Sequence, residues 1–393
     1  MPRRGVRCTV PGVLRDVFRA VTRASAALDR GVVRVMERRM AGPAARHDAA
    51  IPDDAHRRLI ALAERYRDVT LGLPSRFFPT PRRPELRVRP IGEAFGGAVT
   101  ELTWTSGYRP FLPEYKDEHH RWVENHTAHA RRYTRAGGGA GATPRPVMVL
   151  LHGWGGGAWW LEERAFAVGY WVARGFDVVV FQLPFHGARA PAGVGRGPRS
   201  GALFPSANVV RTNEAFGQAI WDLRGLALAL YADGAPAVGA MGMSLGGYTT
   251  ALWSTIDPTL AFAVAMIPAV DMSDLMWRHG EDSPARRRAA AAGVSSTLLA
   301  EVFAVHAPTT RPCLTPHGHR MIVAGHGDRI TPPDQAERLR AHWGDCAIHW
   351  FPGGHLAQVG RGDAFRAVRR HLAAAGFGAP SSHPPAPNPP SSR

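Results

Sequence analysis

The sequence predicts an α/β fold, a mostly parallel central sheet with helices on both faces, on the strength of three observations. From about residue 91 to residue 377, short apolar runs alternate with longer amphipathic ones. Several of these short runs, "RPVMVLLHG" and "FDVVVFQLP" among them, are apolar throughout rather than at every second residue, as strands buried on both faces must be. At 393 residues with 45% hydrophobic side chains, the chain can also bury one large core.

Taken in order, "GGAVTELTWTS" (96–106) reads as an opening strand and "RPVMVLLHG" (145–153) as a buried one, followed by a helix in "AWWLEERAFAVGYWVARG" (158–175). "FDVVVFQLPFHG" (176–187) is the next strand and "NEAFGQAIWDLRGLALALYADG" (213–234) the next helix. "AVGAMGM" (237–243) is a strand that runs straight into a helix at "LGGYTTALWSTID". The strands "LAFAVAMIPAVD" (260–271), "RMIVAGHGD" (320–328) and "AIHWFPGGH" (347–355) are joined and closed by helices over 332–344 and 362–376. Ligand sites of such sheets lie at the carboxyl ends of the strands.

Residues 1–90 read as a basic helical extension and linker. Val13, Leu14, Val17, Phe18 and Val21 recur at helical spacing with Arg15, Arg19 and Arg23 on the other side, so a basic amphipathic helix is expected there. It would pack on the main domain; contact with a membrane surface is the second reading. "LPSRFFPTPRRPELRVRP" (73–90) is punctuated by proline and reads as linker, and the Pro/Ser-rich tail 378–393 as disordered.

The net charge of +16 would ordinarily point to nucleic acid. Lys116 is the only lysine, however, and the arginine excess accompanies abundant Ala, Gly and Pro, as in GC-rich coding sequence. No nucleic-acid motif accompanies the charge, so no specific nucleic-acid partner is expected. Cys8, Cys313 and Cys346 form no CxxC pair and imply neither a disulfide framework nor a zinc site. No apolar run is long enough to span a bilayer and the N-terminus lacks a clean signal-peptide core, so a cytoplasmic location is expected. His119, His120, His126 and His129 cluster near Glu124 without metal-ligand spacing, and read as a solvated or locally hydrogen-bonded loop rather than a metal site.

Ser244 stands at the junction of strand and helix between Gly242 and Gly246. A sharp turn that presents a serine hydroxyl needs side-chain-free neighbours, which is what G-x-S-x-G supplies. A serine nucleophile needs a base and a group that orients it. Asp328 and His355 stand at the ends of two later strands, in the order Ser, Asp, His. With "GHGD" and "GGH" at those strand ends, residues 91–375 resemble the α/β-hydrolase superfamily, and most of all its serine esterase, lipase and peptidase-like branches. The resemblance implies that Ser244, Asp328 and His355 form a catalytic triad. Asp271, at the end of the preceding strand, is the alternative acid, and His326 shapes the acid loop.

The glycine-rich "LLHGWGGGAWW" occupies the place where the family builds half of its oxyanion hole, which gives the backbone N–H groups of Trp154 and Leu245 that role. Trp159, Trp160, Phe185 and His186 are candidates for an apolar pocket. By resemblance, the insertion over about 272–319, long enough for two or three short helices, is a cap. The expected activity is hydrolysis of a carboxylic ester, amide or thioester through an acyl-enzyme, on a small acyl substrate apolar on its acyl side, with no metal and no cofactor. Acyl transfer on the same fold, or a noncatalytic membrane-peripheral scaffold, are the competing readings.

Overall fold

A computed structural model describes residues 12–40, 54–135, 144–192, 200–279, 281 and 284–378. Cys8 and nearly all of the Pro/Ser-rich tail lie outside the described residues. Helices α1 (Gly12–Met40), α2 (Ala55–Leu71) and α3 (Pro74–Phe77) precede strands β1 (Arg87–Ala94) and β2 (Gly97–Thr105). After α4 (Lys116–Arg121) come β3 (Thr127–Tyr133), β4 (Val147–Leu151), α5 (Trp159–Ala165), α6 (Val168–Val172), β5 (Asp177–Phe181) and α7 (Val209–Ala232). The second half runs β6 (Val238–Met243), α8 (Leu245–Trp253), β7 (Ala263–Met266), α9 (Met272–His279), α10 (Pro284–Ala291) and α11 (Ser296–Phe303). It closes with β8 (Arg320–Gly325), α12 (Pro333–His342), β9 (Ala347–Phe351) and α13 (Arg361–Ala374).

Among the described residues, nine strands form one sheet in the order β1-β2-β3-β5-β4-β6-β7-β8-β9. Pairing is antiparallel from β1 to β5 and parallel from there to β9. The alternation of a strand divides its side chains between two cores. On β4, Val147, Val149 and Leu151 join a cluster with Phe216 and Leu223 of α7, Leu252 of α8 and Leu339 of α12. Met148 and Leu150 join the opposite one, with Trp171 of α6 and Phe365 and Val368 of α13. Both faces of the sheet are therefore covered, which is why its inner strands are apolar at every position. Among the described residues, no helix is long and apolar enough to cross a membrane.

Three local expectations are corrected. The single helix over 158–175 is two, because Ala167 takes φ 51° between α5 and α6. The linker over 73–90 is instead packed: Phe77 and Phe78 are buried, Arg224 donates to the carbonyls of Phe78 and Pro79, and β1 starts at Arg87. The histidine loop is replaced by α4, a short 3₁₀ turn and β3, with His119 buried and stacked on His126 at 4.8 Å. Helix α1 lies on the main domain: Phe18 meets the His326 ring edge-on at 5.5 Å, and among the helix's described side chains the buried ones are Ser25, Ala26 and Asp29.

Candidate active site

Ser244 links β6 to α8 with φ 55° and ψ −114°, a conformation that only a strongly constrained non-glycine residue adopts. The constraint is close packing of backbone on backbone. A Cβ on Gly242 would lie 2.0 Å from the Gly246 carbonyl oxygen, and one on Gly246 would lie 1.9 Å from that of Leu151. Neither position can carry a side chain, so the glycines of the motif are required sterically. The turn is fixed further by Ser244 N–H donating to Met266 O at 3.0 Å and Ala269 N–H donating to Ser244 O at 3.3 Å.

At the ends of the neighbouring strands β8 and β9, Asp328 and His355 meet. His355 Nδ1 donates to Asp328 Oδ2 at 2.8 Å, with the aspartate side chain 1% and the imidazole 10% exposed. Because a carboxylate can only accept, the proton sits on Nδ1 and Nε2 is left as the basic nitrogen. The other oxygen, Oδ1, accepts from the amides of Ile330 (2.9 Å) and Thr331 (2.8 Å), so the carboxylate cannot rotate away. Burial lowers the pKa of His355, but the charge and hydrogen bond of Asp328, with the charge of Asp29 added, outweigh it and raise the value above the ordinary imidazole range.

Thr331 connects this pair to the serine. Its hydroxyl lies 2.9 Å from the Ile267 carbonyl, 3.0 Å from Asp328 Oδ2 and 3.0 Å from His355 Nδ1, and Ile267 directly follows Met266, the residue that holds the Ser244 amide. Ile267 itself has φ 38°, unusual for a β-branched residue, so the strain at the strand ends is not confined to Ser244. No hydrogen bond joins Ser244 Oγ to His355. Asp271 is not at the imidazole: its Oδ1 accepts from Ser273 Oγ and the Asp274 amide at the start of α9, and its Oδ2 pairs with Arg338 at 2.9 Å. His326 stacks on Trp350 at 4.8 Å and stays in the acid loop.

The loop after β4 passes beside the serine, where a Cβ on Gly153 would be 3.4 Å from Ser244 Cβ. It is anchored by His152, wholly buried. The Leu183 amide donates to His152 Nε2 at 3.1 Å, which puts the ring proton on Nδ1, 2.8 Å from Gly153 O. Burial pushes this imidazole down to about 4, so it is neutral. Glu162 accepts from the Gly157 amide at 2.9 Å and holds the far side of the loop. Among the described residues, no protein group accepts from the amides of Trp154 or Leu245.

The aromatic candidates separate. Trp154 is 47% exposed, its indole donating to Gly201 O at 2.7 Å, and Trp160 is 66% exposed. Trp159 carries the Arg131 guanidinium on its ring at 4.7 Å, against the second core. Phe185 and His186 are at most 1% exposed, so they are core residues and not pocket wall, a correction to the sequence reading. A cleft of about 720 Å³ lies between Arg83, Arg132 and Asp233 at the other end of the strands and touches none of these residues. Among the described residues, no group of three or more His, Cys, Asp or Glu could hold a metal ion.

Two participants were not foreseen from the sequence. Thr331 had a signal, since Asp328 followed by a threonine three residues on is a turn in which the carboxylate caps both amides. Asp29, on α1, had none: it accepts from the amides of Arg329, His355 and Leu356, some 300 residues away in the chain.

No protein-family model matches the chain. Over 311 residues it is 30% identical to an uncharacterized protein of Mycobacterium tuberculosis, known from two strains, and the match takes in 77% of this chain and 70% of that one. Solved structures of similar fold include an acetyl xylan esterase from a Paenibacillus species, at 12% identity and TM-score 0.53 over 82% of this chain and 94% of that one. Another is acetyl xylan esterase 1 from a Thermoanaerobacterium species, at 15% identity and TM-score 0.53 over 79% and 94%. At such identities the likeness is one of fold.

Proposed function

We propose that this chain, which belongs to the α/β-hydrolase superfamily, is a serine hydrolase that cleaves a carboxylic ester through an acyl-enzyme intermediate. The observation that carries the reading is the hydrogen-bonded Asp328–His355 pair at the strand ends beside a serine in a strained turn. Ser244 Oγ attacks the carbonyl carbon while His355 Nε2 takes its proton, and Asp328 holds the ring and stabilises the imidazolium. Serine–imidazole contacts of this kind tighten when substrate arrives. The oxyanion is received by the unengaged amides of Trp154 and Leu245, a type of donor worth on the order of 3 kcal/mol each. His355 then returns the proton to the departing alcohol, and water, activated by the same nitrogen, releases the acid.

The choice of ester over amide or thioester is prompted by the acetyl xylan esterases of like fold. Helices α9 to α11, which follow β7 directly and precede β8, serve as the cap. Hydrolysis of p-nitrophenyl esters of increasing acyl length by the wild type and by Ser244→Ala tests the proposal. Turnover by the wild type alone, with both proteins unfolding at the same temperature, is expected. Equal turnover by the variant would refute it.

A further inference from the structure

Helix α1 reaches the candidate site with a stripe of small and polar residues, Thr22, Ser25, Ala26 and Asp29, spaced at one face of a helix. Its apolar contacts there are modest: Val17 and Leu28 are largely exposed, and Phe18, 40% exposed, meets the His326 ring edge-on at 5.5 Å. Hydrogen bonds hold the helix more specifically. Asp29 is wholly buried and accepts three backbone amides: Arg329 at 3.1 Å and His355 at 2.8 Å on Oδ2, and Leu356 at 3.2 Å on Oδ1. Thr22 Oγ1 adds a bond to the Pro352 carbonyl at 3.0 Å.

These donors are not scattered. Arg329 follows Asp328, and His355 is the imidazole residue itself, so one carboxylate ties together the two loops whose side chains must meet. The glycines of "GHGD" and "GGH" are where the helix fits. A Cβ on Gly354 would lie 2.6 Å from Asp29 Oδ2, and one on Gly327 would lie 2.9 Å from the Thr22 carbonyl. Since all three hydrogen-bond partners of Asp29 are N–H donors, a carboxylate satisfies them and an amide cannot satisfy all three.

We propose that Asp29 is a positioning residue of the hydrolytic site, which clamps the acid and base loops together and sets the orientation and charge environment of His355. This rests on the triad reading given above. Among the described residues, the charged groups that bear on His355 are Asp328 of the acid loop and Asp29 of α1, while the His326 ring of the acid loop lies against Phe18 and Trp350. The Arg329 guanidinium turns onto the carbonyls of His326 and Asp328. Asp29 is thus a second negative charge, after Asp328, favouring the imidazolium.

The test is the rate of covalent labelling by a fluorophosphonate across pH, on full-length wild type, Asp29→Asn, Asp29→Ala and Ser244→Ala, with thermal unfolding of each. Asp29→Asn is expected to unfold cooperatively and to label about tenfold more slowly at its plateau, the loss of one charge-assisted hydrogen bond. Its acid limb should also move to lower pH, because a positive imidazolium has lost a negative neighbour; Asp29→Ala should be slower still. An unmoved limb, an unchanged plateau, or loss of cooperative unfolding in both Asp29 variants would overturn the proposal and leave Asp29 a residue of the fold alone. Absence of labelling in the wild type would instead overturn the triad reading.

Discussion

Asp29 and Glu214 are both buried carboxylates that accept three hydrogen bonds, yet they belong to different parts of the molecule. Glu214, on α7, accepts from Tyr108 Oη at 2.7 Å and from the amides of Phe111 and Leu112 at 2.9 and 3.0 Å. It fastens the segment after β2 to the helix covering the sheet, beside a second buried group in which Arg189 and Asp222 pair at 2.8 Å with both side chains fully buried. Burial pushes the Glu214 carboxyl up to about 7, against the pull of its three donors. Asp29 sits instead on a helix most of whose described side chains are exposed, and its donors are loop amides at the strand ends. What a buried carboxylate does follows from what its donors belong to, and the two regions should therefore fail in different ways.

The largest expected effect is on the chemistry. Asp328→Asn should lower ester turnover about 10⁴-fold with little change in melting temperature, since the amide leaves the wrong ring nitrogen protonated. Asp222→Ala should do the reverse. Leaving Arg189 buried without its counter-ion is expected to cost roughly 3–5 kcal/mol of stability, measured by urea unfolding, with turnover per folded molecule unchanged at low temperature. Glu214→Gln sharpens the contrast through pH. A carboxyl whose folded pKa is raised contributes stability that is complete below its unfolded value and lost as pH rises toward 7, on the order of 3 kcal/mol here. Unfolding free energies between pH 4.5 and 7.5 should therefore fall more steeply with pH in the wild type than in the variant, the difference between the two carrying the Glu214 contribution.

Smaller effects probe the clamp. Gly354→Ala, whose methyl would meet Asp29, should slow turnover about tenfold, and adding Asp29→Ala should slow it little further, as for two changes that break one contact. Asp271→Ala should change turnover less than about twofold while removing the cap of α9, a loss of about 1 kcal/mol in unfolding. A large loss of activity there would reassign the acid and break the comparison at its premise.

The parts of the site legible in the sequence are those held by local geometry. Gly242 and Gly246 announce the serine turn because backbone packs on both, and the apolar strands that end at Asp328 and His355 carry them to one edge. Contacts between distant segments leave no such trace. Asp29 looks like any polar residue of a basic helix, because its partners are backbone amides that every residue possesses. β1 escaped notice because its side chains face solvent along nearly its whole length. β3, "TAHARRY", buries Ala128 and Ala130 where a strand usually shows larger residues. Phe185 and His186 follow a strand end, as pocket residues do, but turn into the core.

The proposed chemistry stands on the activation of Ser244 by His355 and Asp328. Mass-spectrometric mapping of the site labelled by a fluorophosphonate in the wild type, with His355→Ala beside it, measures this. A single adduct is expected on the peptide carrying Ser244, and none in the His355 variant. An adduct on another serine, or equal labelling of Ser244 without His355, would contradict it.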